Sequence, residues 1–140
     1  MSDSVPPTSM KYGRDDEEWN ELEEAGLAFL SQRARLERLT SYTEMNTVLA
    51  QRTGHRSFDF DQDSERAAMG YLLGRISDRE FSRTGVLISA IVSYLDANDA
   101  GPGFYKLAQD RALLPRGQSR GRQWEFWVAH VAKVFAAYRR

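Results

Sequence analysis

The chain has 140 residues, no cysteine and a formal net charge of −1, which excludes disulfides, thiolate metal sites and cysteine nucleophiles. Its 41% hydrophobic and 28% charged content is that of a soluble domain able to bury a core unaided. No apolar run approaches the roughly 20 residues of a membrane span, and no signal-like apolar segment opens the chain, so a cytoplasmic protein with no membrane partner is expected.

Charge is segregated along the chain. Residues 1–30 hold eight acidic and two basic side chains, net −6, and residues 101–140 hold eight basic and two acidic, net +6. Either the two ends pair on one surface, or the basic end presents a face to nucleic acid.

Residues 1–14, with Pro6, Pro7, Gly13 and several hydroxyl side chains, read as a disordered leader before a single globular domain at 15–140. From Asp15 the apolar residues Trp19, Leu22, Phe29, Leu30 and Leu36 fall on one helical stripe. Acidic residues at its start and Arg33, Arg35 and Arg38 at its end suit the helix dipole. A helix reaching residue 38 either packs along its own domain or pairs with another protein, or a second copy, through residues 15–38. Ser41-Tyr42-Thr43-Glu44 has capping-box spacing, and Gly54 is a plausible stop for the helix it opens. Asp63 or Ser64 is expected to cap the next helix, which carries Ala68, Met69, Leu72, Leu73 and Ile76 inward. Residues 77–81 either continue it or start a separate turn.

Val86 to Tyr94 is rich in β-branched residues and reads as a buried strand, with Phe58-Asp59-Phe60 as its expected partner. Turn formers follow, ending in Gly101-Pro102-Gly103 before a short helix from Phe104. Residues 115–122 read as an exposed basic loop. The last helix, from about Gln123, is expected to dock Trp124, Trp127, Val131 and Phe135 onto the core.

No stretch carries a complete catalytic or metal motif. Asp59, Asp61, Asp63 and Glu65 alternate like calcium ligands, but Ser64 and Gly70 stand where the loop needs glycine and glutamate. The turn at Asp96 to Gly101 keeps the glycine but has Ala100 at the fifth position and Leu107 at the twelfth, so capping and turn roles are expected. His55 and His130 have no ligand partner at helical spacing. Gly101-Pro102-Gly103 lacks the lysine of a phosphate loop and reads as a tight turn.

Ser41-Tyr42 opens one helix, Arg66-Ala67-Ala68-Met69-Gly70 opens the next, and an apolar segment follows at Val86. This order resembles the winged-helix DNA-binding domain of the alkylguanine-DNA alkyltransferases and alkyltransferase-like proteins. There a Thr/Ser-Tyr pair starts one helix and an Arg-Ala-Val-Gly motif starts the recognition helix. The family's tyrosine acts on the DNA backbone, and its arginine enters the stack as a base flips out. The resemblance, over about half the chain, implies a winged-helix-like fold and those roles for Tyr42 and Arg66. The chain departs from it in three places. Leu87 to Val92 replaces the family's Pro-Cys-His-Arg, which excludes alkyl transfer by cysteine. The arginine motif has one extra residue before its glycine, and residues 54–63 read as an insertion.

The expected architecture is mainly α, about six helices with one short β element, in a compact domain. Its expected function is a small non-enzymatic binding module without cofactor or metal, with nucleic acid as ligand and Tyr42, Arg66, Arg116, Arg120 and Arg122 as contact residues. The alternatives are an interaction or self-association module using the acidic helix, and an enzyme with dispersed carboxylates acting on a small substrate.

Overall fold

Two long amphipathic helices frame the core. In the computed structural model, which describes residues 10–95 and 97–139, α1 spans Asp16–Arg35 and α3 spans Asp63–Thr84. Helix α1 buries the stripe Trp19, Leu22, Gly26, Phe29, Leu30 and Ala34. It ends at Arg35, three residues short of the expected limit, because Glu37 turns into the left-handed region at φ 54°. Helix α2, Tyr42–Thr53, packs on α1 and stops at Gly54 with φ 76°. Helix α3 continues through residues 77–81, and the short helix α4, Pro102–Asp110, packs on it. Helix α5, Arg120–Tyr138, closes the core.

The five α-helices and one 3-10 helix among the described residues match a mainly helical fold of about six helices. Two small β pairings accompany them, where one was expected: β1 (Met10–Lys11) with β2 (Arg14–Asp15), antiparallel, and β3 (Thr40–Ser41) with β4 (Val92–Ser93), parallel.

The run from Val86 to Tyr94 is not a strand over most of its length. Ile88–Ile91 form a 3-10 helix, and only Val92 and Ser93 pair, with Thr40 and Ser41 rather than with residues 58–60. The segment lies in the middle of the helices, and Val86 to Val92 are all buried. Among the described residues no long neighbouring strand offers it a ladder, so its polar groups find other partners. The Leu87 amide donates to His130 Nε2 at 2.9 Å, the Ser89 amide to Ser77 Oγ at 3.1 Å, and Trp127 Nε1 donates to the Ala90 carbonyl at 2.7 Å. Phe58 is held instead by Asn46, whose side chain accepts from its amide at 2.7 Å and donates to its carbonyl at 2.9 Å.

Three helix starts also differ from expectation. Ser41 Oγ accepts from the Glu44 amide, but the Glu44 carboxylate turns to Thr40 and Arg33, so only half of the capping box forms. Helix α3 is preceded by Gln62, which makes no side-chain cap, and Asp63 lies inside the first turn. Helix α5 starts at Arg120 because Ser119 Oγ caps the Arg122 amide, which shortens the basic loop. On α5 the buried stripe is Trp127, His130, Val134 and Tyr138. Val131 and Phe135 pack partly buried against the core, and Trp124 is 42% exposed.

The acidic and basic ends of the chain do not simply neutralise each other. Glu23 meets Arg75 at 2.7 Å and Arg79 at 3.2 Å, and Glu24 also pairs with Arg79, all across the α1–α3 contact. Arg111 and Arg116 pair with Asp78 and Asp110 instead.

Part of the expected leader is folded. Residues 1–9 lie outside the described residues, but β1 and β2 form a hairpin joined by Tyr12 and Gly13, with φ 55° and 74°. Two successive positive φ angles are those of a two-residue type I′ turn. Arg14, 0% exposed, anchors the hairpin. Its guanidinium pairs with Glu18, donates to the Arg56 carbonyl at 3.2 Å and lies 4.2 Å from the centre of the Phe58 ring. Trp19 Nε1 donates to the Lys11 carbonyl at 2.9 Å, and Arg56 to the Tyr12 carbonyl at 3.2 Å. A charge buried this completely persists because its two terminal nitrogens are paired and hydrogen-bonded, while Nε has no partner among the described residues.

Candidate anion-binding groove

Four segments distant in sequence meet at one groove of about 900 Å³. The hairpin supplies Lys11 and Tyr12, α2 supplies Tyr42, the first turns of α3 supply Asp63, Arg66, Gly70 and Tyr71, and Tyr94 with the start of α4 completes the lining. Tyr42 is the first residue of α2, Asp63 the first of α3, and Pro102 the first of α4. The first residues of three helices therefore line the same space. Each helix start carries a partial positive charge, of about half an elementary unit for an uncapped helix and less where Ser41 caps α2 and Pro102 opens α4. Lys11, Arg66 and Lys106 add full charges, and Asp63 is the one acidic side chain among the described lining residues.

Tyr42 sits at the centre of this arrangement. It is only 3% exposed. Its ring meets Tyr94 edge-on at 5.1 Å and Phe60 at 5.6 Å. Burial, and secondarily the neighbouring Tyr94, push its pKa up to about 12, so at neutral pH it is a hydrogen-bond donor and not a base. None of the hydrogen bonds among the described residues uses its hydroxyl, which faces Gly70 and Gly101. Gly101 admits it by lacking a Cβ, since that atom would lie 2.9 Å from Tyr42 Oη and 3.1 Å from Tyr94 Cδ1.

Arg66 is less free than its place near a helix start suggests. Its guanidinium donates to the Phe60 carbonyl and pairs with Asp63. Its charge faces the groove while its donors are partly engaged. Lys106 pairs with Asp110 at 3.2 Å, but its side chain is highly exposed, and such surface pairs are weak.

Of the five contact residues expected from sequence, Tyr42 and Arg66 come together here. Arg120 lines a second groove of about 590 Å³ that shares Tyr94, Pro102 and Lys106 with the first. Arg116 and Arg122 line neither. In the second groove Tyr105 donates to Asp99, and burial followed by that carboxylate drives the Tyr105 pKa upward.

Sequence reasoning misses Lys11, Tyr12, Tyr71, Tyr94 and Lys106. Tyr-Gly between short extended segments is a usable hairpin signal for the first two. The others are brought in by tertiary packing alone. Four of the six tyrosines of the chain line the larger groove, a concentration that suits ring stacking and hydrogen bonding to an anionic ligand.

The calcium-like acidic run serves local structure: Asp59 accepts from the Asp61 amide and from Gln62, and Glu65 turns inward to Arg56 and the Asp59 amide. No group of three or more potential metal ligands occurs among the described residues. No described helix is long and apolar enough to cross a membrane. Comparison of the chain with protein-family models, curated proteins and solved structures gives no match.

Proposed function

We propose that this chain is a non-enzymatic binding module and that its groove binds nucleic acid through the phosphate backbone. The observation that carries this reading is the convergence of three helix N-termini on a groove that also holds Lys11, Arg66 and Lys106. A backbone phosphate meets there the Tyr42 hydroxyl, the Gly103 amide and the Lys106 ammonium, a donor set suited to oxyanions. Arg120 carries the positive surface into the adjoining groove, and Arg122, in the same helical turn, extends it outward. The groups lining the larger groove hold and orient; they include no nucleophile activated by an adjacent base.

The resemblance to the alkyltransferase-like domain would give Tyr42 the backbone contact, which agrees with this reading. It would send Arg66 into the base stack, whereas here Arg66 is engaged with Phe60 and Asp63, so we assign it an electrostatic role. Self-association through residues 15–38 has less support. The apolar stripe of α1 is spent inside its own domain, and Glu23 and Glu24 are already paired.

Fluorescence anisotropy with a labelled oligonucleotide tests the reading, on wild type and on Lys11→Ala/Lys106→Ala at about 50 and 200 mM salt. Removing two lysine–phosphate interactions should flatten the slope of log K against log salt by about 1.4 to 1.8. Binding that ignores both lysines, or no binding at the lower salt, contradicts it.

A further inference from the structure

We propose that the nucleic acid taken by this groove is single-stranded, and that Tyr12 and Tyr71 form the platform on which one of its bases stacks. The proposal rests on the nucleic-acid reading above and adds the form of the ligand. Tyr12 occupies a left-handed backbone position, φ 55°, where a short polar residue or glycine is the usual choice. The hairpin therefore carries a bulky ring at a position that disfavours one, and strained residues of this kind cluster at functional sites. The ring is not hidden in the core. It is 36% exposed, lines the groove, and lies 5.8 Å from the Tyr71 ring at 50°. Behind it Tyr71 is fixed edge-on against Trp19 at 4.9 Å, and Lys11 Nζ stands 5.0 Å from the centre of the Tyr71 ring. The exposed Tyr12 ring, backed by Tyr71 with a lysine over the Tyr71 face, matches the way single strands are held, by base stacking next to phosphate contacts.

The opposite side of the groove supports the same ligand. Gly103, in the first turn of α4, is exposed, has no positive φ, and would meet no atom within 4 Å if it carried a Cβ. A glycine there leaves the groove wall open to close approach of a ligand backbone. A duplex keeps its bases paired and stacked on one another, so it could offer this recessed platform only its phosphate edge.

The test compares anisotropy of a labelled single-stranded 12-mer, about that length being a typical site size, with a blunt duplex of the same sequence. It uses wild type, Tyr12→Asn and Tyr12→Phe, with melting temperatures recorded for all three. Asparagine suits the turn but gives up the ring contacts with Trp19 and Tyr71, so Tyr12→Asn should stay folded, melting within about 5 °C of wild type, while losing about 5- to 150-fold in single-strand affinity. Tyr12→Phe should bind like wild type, and wild type should favour the single strand. Tighter binding of the duplex, with no effect of either substitution, overturns the platform and leaves the nucleic-acid reading standing. Absence of binding to both forms at low salt overturns both. The wild-type preference decides the form of the ligand even if a variant fails to fold, and single-strand affinity unchanged in a folded Tyr12→Asn overturns the platform.

Discussion

Tyr42 Oη lies 2.9 Å from the place that a Cβ on Gly101 would occupy. The contact joins the first residue of α2 to the residue that precedes α4, and so fixes the spacing of two of the helix N-termini on the groove.

Gly101→Ala tests this relationship. The backbone at Gly101 has φ −73° and ψ 162°, which alanine accepts, so the added methyl acts through contact alone. With the Tyr42 ring buried and unable to retreat, a loss of about 1–3 kcal/mol in urea unfolding is expected. Tyr42→Phe in the same chain removes the nearest atom and should recover part of the loss. A Gly101→Ala protein more stable than wild type, by the 0.4–1 kcal/mol or so that a restricted unfolded chain gives, would show that the contact relaxes freely.

The two tryptophans of α5 are expected to separate sharply. Trp127 is buried and donates to the Ala90 carbonyl at 2.7 Å, so Trp127→Ala should cost about 3–5 kcal/mol. Trp124 is mostly outside the core and donates to the Asn98 carbonyl at 3.1 Å. Trp124→Ala should cost about 1 kcal/mol or less. Denaturant midpoints of the two variants provide the comparison, and equal losses would refute the assignment.

His130 makes stability depend on pH. Burial, with a smaller contribution from the Lys133 charge, pushes its pKa down to about 4, and its Nε2 must stay unprotonated to accept from the Leu87 amide. Between about pH 6.5 and pH 4 the unfolded chain takes up a proton that the native state refuses, so this stabilisation is lost as pH falls. By pH 5 the histidine should account for about 2 kcal/mol of lost stability. Urea unfolding at pH 7 and pH 5 on wild type and His130→Gln should show a shallower loss in the variant. Parallel losses would assign the acid sensitivity to the carboxylates instead.

Helical periodicity carries most of the fold. Leu22, Phe29 and Leu30 on α1, and Met69, Leu72 and Ile76 on α3, are legible as inward stripes because each helix has one wet face. Val86 to Val92 misleads for the opposite reason: it has no wet face, so neither period shows, and β-branched composition is the only guide. Trp124 reads as a core residue because α5 has more apolar residues than its buried stripe can use. At the groove, Tyr42 and Arg66 are visible as helix-start residues, whereas Tyr71 and Lys106 look like ordinary helical surface until α3 and α4 come together. Lys11 and Tyr12 are hidden by a short polar segment whose order depends on Arg14, an arginine whose burial no local pattern announces.

Under the proposed function, ligand binds where α2, α3 and α4 begin. The most direct measurement is a two-dimensional amide NMR titration of the 15N-labelled chain with an unlabelled single-stranded 12-mer. The groove reading predicts that the largest shifts fall on Lys11, Tyr12, Gly70, Gly103 and Lys106, with smaller ones at Arg120. Shifts centred on the exposed glutamates of α1, or on Arg116 with the groove amides unmoved, would contradict it.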